Sequence, residues 1–418
     1  MTKNKIAVIG LGYVGFPLLI ELSKKYTTVG FDIKSSRIKE LNSGYDSTGE
    51  VAKKYIVDVK PALTDNPDKL KGYDIYIITV PTPVDKSNRP NLNPLSLATK
   101  MVGGFIEPGA TIIYESTVFP GCVEDFCVPI LEKESELVFN KDFYCGYSPE
   151  RINPGDKNRT ITKIVKVTAG SNAPTSDLVD EIYKSIIIAG TYRASSIKVA
   201  EAAKVIENAQ RDINIAFINE LSKIFSKMEI DTNDVLAAAS TKWNFLQFTP
   251  GLVGGHCIGV DPYYLSSKAE ELGYNPEIIL AGRKLNNSMG SFIASEAIEI
   301  MNNKNIPIND SNALILGITF KENCPDIRNT KVVDIIDKLV ENKINIDVYD
   351  PNADKEEVQE IYGINLLDNL NNRKYNLIIL AVPHDIFSKI DLTTLKSDNS
   401  VIYDVKNFVG RDIVDGRL

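Results

Sequence analysis

The sequence predicts an α/β protein in which two doubly wound domains are joined by a central helical region with one long helix. Three observations carry this. Between residues 5 and 189, short β-branched runs alternate with helix-like segments. Residues 196–229 then contain neither proline nor glycine. After residue 303 short apolar runs return. A chain of 418 residues has room for several domains at roughly 100–200 residues each.

The elements follow in order. Strands are expected at Lys5–Gly10, Thr28–Asp32, Asp74–Val80, Ala110–Glu115, Phe143–Tyr147, Ile164–Val167 and Ser185–Ala189. Several of these runs are almost continuously apolar, which suits strands buried on both faces of a parallel sheet. Over 196–229 apolar residues recur with helical spacing at Ile197, Ala200, Ala203, Ala209, Ile213, Ala216, Phe217 and Leu221. One helix of about 30 residues is predicted, roughly twice the usual length, which suits a helix crossing between domains. Further helices are expected up to Asn303. Strands return at Ala313–Gly317, Ile344–Tyr349, Leu377–Val382 and Val401–Asp404. The expected domains are therefore 1–195, 196–303 and 304–418. The two α/β halves are not visibly alike in sequence.

Composition excludes several classes. Hydrophobic residues make up 43% and charged residues 24%, with a net charge of −8. These values exclude a wholly disordered, collagenous or coiled-coil chain. The acidic balance argues against a general nucleic-acid binder, which needs a basic face. The cysteines, Cys122, Cys127, Cys145, Cys257 and Cys324, form no CxxC pair, and the histidines are only His256 and His384. Neither a zinc site nor a disulfide framework is expected. No signal peptide and no apolar run of ~18 residues is read, so the expected compartment is the cytoplasm, without a membrane span.

Four groups of residues carry chemistry. Gly10-Leu11-Gly12-Tyr13-Val14-Gly15 follows a predicted strand and opens a predicted helix, and Asp32 ends the next strand. Gly10 permits the tight turn, Gly12 lets a pyrophosphate approach the backbone, and Gly15 permits close helix–sheet packing. Asp32 suits the adenosine ribose hydroxyls and repels a 2′-phosphate, which favours NAD over NADP. A tight turn without a ligand is the plainer alternative. Gly251, Gly254, Gly255 and Gly259 form a second glycine-rich loop around His256 and Cys257, with Asp261 just beyond. Such a loop lets backbone approach a ligand. A cysteine is more often a small buried hydrophobe, but this setting favours a nucleophile. His256 is a weaker candidate base, because neighbours in an extended loop point apart. Lys204 and Asn208 share a helix face at i and i+4. The small apolar run Val199-Ala200-Glu201-Ala202-Ala203 argues that Lys204 is partly buried rather than a solvated charge. Finally, several loops follow strand ends, where α/β sheets bind ligands. These are Val80-Pro81-Thr82-Pro83, Glu115-Ser116-Thr117-Val118 and Ser148-Pro149-Glu150-Arg151-Ile152-Asn153-Pro154-Gly155. In the last domain, Lys321 and Arg328 follow Gly317 and suit phosphate groups.

Together and in this order, these motifs resemble the UDP-glucose/GDP-mannose dehydrogenase family over essentially the whole chain. The likeness is greatest to the branch that oxidises UDP-N-acetylhexosamines at C6. It rests on Ser148–Gly155, on Gly254-Gly255-His256-Cys257-Ile258-Gly259-Val260-Asp261-Pro262-Tyr263-Tyr264-Leu265 and on Ala281-Gly282-Arg283-Lys284-Leu285-Asn286. The UDP-glucose branch differs where this chain has Arg151-Ile152 and Val260. The resemblance implies an NAD-binding Rossmann domain over 1–195, a helical dimerisation domain with the cysteine loop over 196–303, and a UDP-binding Rossmann-like domain over 304–418. It implies Cys257 as nucleophile, with Lys204, Asn208, Asp261, Glu150 and Thr117 as catalytic partners. It implies NAD contacts from Gly10, Gly12, Tyr13, Val14, Gly15, Asp32, Arg37, Thr82, Thr117 and Arg328. Substrate contacts are implied for Glu150, Arg151, Lys204, Asn208, Gly254, Lys321, Arg283 and Lys406. Lys242 and Lys406 stand where the UDP-glucose branch has arginines, and Gln247 replaces a lysine, so those contacts differ here. The implied activity is a four-electron oxidation of a C6 alcohol to a carboxylate with two NAD⁺, by a homodimer, in capsule or O-antigen synthesis. The sugar stays open between UDP-N-acetylglucosamine and UDP-N-acetylgalactosamine, with UDP-N-acetylmannosamine and UDP-glucose as alternatives. A 6-phosphogluconate or β-hydroxyacid dehydrogenase needs neither Cys257 nor a second α/β domain. A catalytically silent nucleotide-sugar or NAD binder needs none of Cys257, Lys204, Asn208 and Glu150.

Overall fold

The computed structural model describes residues 4–85, 87–152, 159–370 and 373–418. They divide into two compact units, Met1–Glu207 with Tyr263–Tyr274, and Asn208–Pro262 with Asn275–Leu418. In chain order the first unit begins β1 (Lys5–Ile9), α1 (Gly15–Ser23), β2 (Thr27–Phe31), α2 (Ser35–Asn42), α3 (Lys53–Val59), β3 (Ala62–Thr64) and β4 (Ile75–Ile78). It continues α4 (Asn93–Gly103), β5 (Thr111–Tyr114), α5 (Val128–Ser135), β6 (Tyr144–Tyr147), β7 (Lys166–Gly170), α6 (Ala173–Lys184) and β8 (Thr191–Arg193). The strands form one sheet in the order β3-β2-β1-β4-β5-β6-β7-β8, in which only the β6–β7 pairing is antiparallel. The first six strands have the doubly wound order, with the reversal between β1 and β4. Alternate residues of β1 explain its unbroken hydrophobicity. Ala7 and Ile9 enter one core with Tyr76 and Ile112, while Ile6 and Val8 enter another with Phe16 and Leu19.

The sequence reading needs one correction here. Ser185–Ala189, expected as a strand, closes α6 instead. Ser185 N–H reaches Glu181 O at 3.0 Å, Ile187 N–H reaches Tyr183 O at 2.8 Å, and the strand comes only at Thr191. The isoleucines that suggested a strand, Ile186 and Ile187, are buried by the unwinding helix end. The short edge strand β3 was not anticipated.

The long helix α7 runs Ile197–Lys227, 31 residues, or about 46 Å at 1.5 Å per residue. The unit boundary falls within it, between Glu207 and Asn208. One face is buried at Ile197, Ala200, Glu201, Lys204, Val205, Asn208, Ala209, Asp212, Ala216 and Asn219. Half of those residues are polar, which no simple core helix needs.

The second unit continues with α8 (Thr232–Ala239), the start of α9 (Asp261–Glu271), α10 (Glu277–Asn287) and α11 (Met289–Asn303). Then come β9 (Asn312–Leu316), α12 (Val332–Glu341), β10 (Asn345–Tyr349), α13 (Lys355–Tyr362), β11 (Tyr375–Leu380), β12 (Lys396–Asp404) and β13 (Gly416–Arg417). Its sheet is parallel throughout, in the order β10-β9-β11-β12-β13. Again both faces are covered: Ala313 and Ile315 enter one core, Leu314 and Leu316 the other.

Candidate active site

In the first unit the turn after β1 is built for close approach. Gly10 has φ +93°, and its N–H bonds Phe31 O at 2.8 Å. A Cβ on Gly15 would lie 1.8 Å from Gly10 O and 2.3 Å from Thr79 Oγ1, so only glycine fits. Nothing lies within 4 Å of a Cβ on Gly12, so that backbone faces open space. Asp32 holds the turn, accepting Leu11 N–H at 2.9 Å on one oxygen and Lys34 N–H at 2.9 Å on the other. Each oxygen keeps a lone pair for a diol. These features fit a dinucleotide, with Asp32 for its ribose and the α1 N-terminus for its pyrophosphate. Tyr13 and Val14 lie in the turn leading into α1. Arg37 braces the turn from behind. It is buried and donates to Leu11 O at 2.9 Å, Glu40 at 2.6 Å and Asp46 at 2.7 Å.

The loops after β4 and β5 are stitched together. Thr82 Oγ1 donates to Thr117 O at 2.7 Å, and Ser116 Oγ to Val80 O at 2.6 Å. Beyond β6, Glu150 is buried and held through both oxygens. One oxygen accepts Arg151 N–H and Ile152 N–H at 2.6 and 2.8 Å, and the other accepts Lys166 Nζ at 2.7 Å. Arg151 pairs with Glu207 at 2.8 Å and donates to Val165 O. Asn153, Pro154 and Gly155 of this loop lie outside the described residues. Lys204 is buried, as its small neighbours suggested. Among the described residues of its unit, no carboxylate pairs with its ammonium.

In the second unit, Asn208 Nδ2 donates to Asp261 Oδ2 at 2.6 Å, and both residues are buried. Asp261 opens α9, and its N–H bonds Cys257 O at 2.9 Å, as does Val260 N–H at 3.0 Å. Cys257 is half-buried, whereas Cys122, Cys127, Cys145 and Cys324 are all buried. Burial raises the Cys145 thiol well above its usual range, as expected of an inert core cysteine. The cysteine loop lies close against its own unit: a Cβ on Gly254 would meet Asn329 O at 2.4 Å. The loop is anchored at Gly251 by Asn219, which accepts Gly251 N–H at 2.8 Å and donates to Gly251 O at 3.0 Å.

Behind this anchor lies a buried network. Asn286 accepts from Asn219 and donates to Asp212 at 2.7 Å, and Arg283 donates to the same Asp212 oxygen at 2.6 Å. Burial raises the Asp212 carboxyl above its usual range despite Arg283. Arg283, carried over as a substrate contact, thus braces α7 from α10. Lys406 is half-buried with Nζ 3.3 Å from Pro250 O, and desolvation lowers its pKa. Arg328 pairs with Asp326 and approaches His256 Nδ1 at 3.2 Å. Burial works to raise the Asp326 carboxyl, but Arg328 outweighs it and holds it below its usual range. His256 is thus turned to Arg328 and Asp326. Lys321 lies with Nζ 5.6 Å from the Phe320 ring centroid.

Two groups were missed in the sequence. One is the trio Glu115, Lys166 and Tyr183 around Glu150, whose only signal was a lysine opening an apolar strand. The other is His384, wholly buried beyond β11, with Nε2 3.1 Å from both Asp350 Oδ2 and Thr319 Oγ1. Its Nδ1 accepts Asn323 N–H at 2.9 Å.

Comparison with known proteins gives these features a common setting. Residues 4–187 match the NAD binding domain of the UDP-glucose/GDP-mannose dehydrogenase family, residues 198–288 its central domain, and residues 314–411 its UDP binding domain. The chain is 52% identical to a UDP-N-acetyl-D-glucosamine 6-dehydrogenase of Pseudomonas aeruginosa, across the full length of both. It is 50% identical to Protein CapL of Staphylococcus aureus, over 99% of this chain and 97% of that one. A solved UDP-D-ManNAc dehydrogenase from Pyrococcus horikoshii is 28% identical and superposes with a TM-score of 0.90 over 99% of this chain and 98% of its own. With an NAD-type glycine turn at its N-terminus and all three domain models matched in order, the chain belongs to the UDP-glucose/GDP-mannose dehydrogenase family of NAD-dependent dehydrogenases.

Proposed function

We propose that this enzyme oxidises the C6 alcohol of a UDP-N-acetylhexosamine to the uronic acid, with UDP-N-acetylglucosamine as first candidate and UDP-N-acetylgalactosamine as second. The observation that carries the chemistry is the half-buried Cys257, whose carbonyl organises Asp261, which in turn holds Asn208 one helical turn from Lys204. Support for the sugar comes from the relatives at 52% and 50% identity, the first of which is named for UDP-N-acetyl-D-glucosamine. Two UDP-N-acetyl-D-mannosamine dehydrogenases are 31% and 30% identical, and that substrate stays an alternative behind the first two.

NAD⁺ supplies the hydride acceptor for both oxidations. The C6 hydroxyl proton leaves to Lys204, or to a water held by Lys204, Asn208 and Asp261. The Cys257 thiolate adds to the aldehyde, and Lys204 and Asn208 stabilise the oxyanion of the thiohemiacetal. Asn208 has a donor for this, because its amide keeps a second N–H beside the one given to Asp261. Loss of the second hydride leaves a thioester. Water, assisted by Glu150, cleaves the C–S bond and frees the acid.

The same reading includes a homodimer and a capsule or O-antigen role. Support for the dimer is the second apolar stripe of α7, where Val199, Ile206, Phe217 and Ile224 are exposed. CapL's likeness supports the polysaccharide role. A cytoplasmic location belongs with the same reading; among the described residues no helix is long and apolar enough to cross a membrane.

The deciding experiment is steady-state turnover on the gluco, galacto and manno UDP-N-acetylhexosamines with UDP-glucose as control. Two NADH per sugar and the highest kcat/KM on UDP-N-acetylglucosamine are expected. One NADH per sugar, or preference for UDP-glucose, overturns the reading.

A further inference from the structure

Glu150 is held by a buried ion cluster that lies wholly in the first unit. Lys166 Nζ sits 2.7 Å from Glu150 Oε2 and 2.7 Å from Glu115 Oε2. Tyr183 OH donates to the other Glu115 oxygen, and Lys166 Nζ lies 5.3 Å from the Tyr183 ring centroid. The four side chains come from different elements: Glu115 follows β5, Glu150 follows β6, Lys166 opens β7 and Tyr183 lies on α6. All four residues are buried. Arg151, the next charge along, is turned to Glu207 and Val165 O.

A cluster of this kind is costly for stability alone. Removing two carboxylates and an ammonium from water carries a penalty that their attraction only partly offsets, and apolar replacements are often as stable. The charges also do not balance, since one cation faces two carboxylates. Burial opposes the Lys166 ammonium, yet Glu115 and Glu150 outweigh burial and raise its pKa. Burial raises the Glu115 carboxyl, against the pull of Lys166. The arrangement thus keeps a permanent cation on the Glu150 carboxylate and sets a second carboxylate behind that cation.

We propose that Lys166 is a positioning residue for thioester hydrolysis, holding the Glu150 carboxylate aimed, with Glu115 and Tyr183 fixing the lysine. The proposal rests on the reading that Glu150 assists that step. Water adds to the thioester carbonyl, its first proton passes to Glu150, and the C–S bond breaks to return the Cys257 thiolate. The product acid gives up the second proton. Two backbone N–H groups on one Glu150 oxygen and the ammonium on the other leave the carboxylate a single orientation in which to accept that proton.

The test follows Cys257 thioester decay in the full-length enzyme by acid quench and intact mass, across pH, after a single turnover with excess NAD⁺. Lys166→Met is expected to slow thioester decay about tenfold or more, because a catalytic group that loses its fixed orientation costs at least that much. Glu115→Gln leaves the lysine on Glu150 and is expected to slow it less. The first NADH is expected to form at a rate within about twofold of wild type in both variants, whereas general structural damage slows both steps. The double variant Lys166→Met/Glu115→Gln keeps the wild-type net charge and carries the test should the single variant not fold; its thioester decay is also expected to slow. Unchanged decay in the lysine variants, with Glu150→Gln still stalling at the thioester, overturns the role of Lys166. Normal decay in Glu150→Gln overturns the underlying reading instead.

Discussion

Glu201 gives a perturbation whose size can be worked from the structure. It lies on α7, wholly buried, and its carboxylate accepts Gly121 N–H at 2.5 Å and Val123 N–H at 2.9 Å. It therefore ties α7 to the segment that follows Thr117. Burial raises its pKa from 4.5 to about 7, the two N–H bonds pull the other way, and Glu124 and Asp125 add to the rise. A carboxyl raised on folding binds more protons in the native state than in the unfolded one between those two values. Stability then falls as pH rises from 4.5 through about 7. At 1.36 kcal/mol per unit the loss is about 3 kcal/mol. Glu201→Gln removes the titration. Wild type is thus expected to lose about 3 kcal/mol relative to the glutamine variant between pH 4.5 and 8. A chain of two units need not unfold in one step, so hydrogen exchange of the 119–128 peptide in graded urea is the suitable readout. Parallel pH profiles for the two proteins would refute the burial argument.

Other expectations concern function and assembly. Asp32 should make kcat/KM for NAD⁺ exceed that for NADP⁺, and Asp32→Asn should narrow the gap; equal values in wild type contradict the ribose assignment. Cys257→Ala should abolish acid formation while NAD⁺ still binds by titration. Cys257→Ser should retain a covalent sugar adduct in intact mass, because an ester hydrolyses more slowly where the site is shaped for sulfur; normal turnover with two NADH per sugar would remove the covalent step. Charging the exposed stripe with Phe217→Glu and Ile224→Glu should shift light scattering from dimer to monomer at micromolar concentration, and a wild type that is already monomeric there would remove the dimer.

The parts legible in the sequence are those whose physics is local. Gly10, Gly15 and Asp32 could be read because a tight turn, a close approach and an acidic strand end lie within a few dozen residues. The long α7 was legible because helix breakers are absent from it. The run at Ser185–Ala189 was not, because isoleucines bury equally well at an unwinding helix end and in a strand. Arginines were least legible. Arg37 and Arg283 bear donors that suit a ligand phosphate, yet here they meet Asp46 and Asp212, and nothing in a linear sequence reveals that partner. Lys166 was hidden for the same reason, since Glu115 and Glu150 reach it from the ends of two other strands.

The two sheets show why similar frameworks serve different nucleotides. Gly317 after β9 has φ +90° and bonds Tyr349 O through its N–H at 3.0 Å, as Gly10 after β1 bonds Phe31 O. Asp350 after β10 accepts Ile318 N–H at 2.7 Å and Asn352 N–H at 2.9 Å, just as Asp32 accepts Leu11 and Lys34. The turns are duplicates in backbone and in their acidic anchor, although the sequences do not look alike. They part at one side chain. Asp350 also takes Thr319 N–H at 3.1 Å and the His384 imidazole, and it is buried, whereas Asp32 is only part-buried and has no such neighbour. Burial works to raise the Asp350 carboxyl, and His384 outweighs it, so the anion stays paired within the protein. Because His384 Nδ1 accepts a backbone N–H, its Nε2 carries the proton and faces Asp350. A ribose diol meeting Asp350 as it would meet Asp32 finds Oδ2 already taken by Ile318 N–H, Thr319 N–H and the His384 imidazole, and only Oδ1, which accepts Asn352 N–H, left with a lone pair. His384 thus occupies the side of the second turn's carboxylate that the first turn leaves to Leu11 N–H alone, within the segment that matches the UDP binding domain.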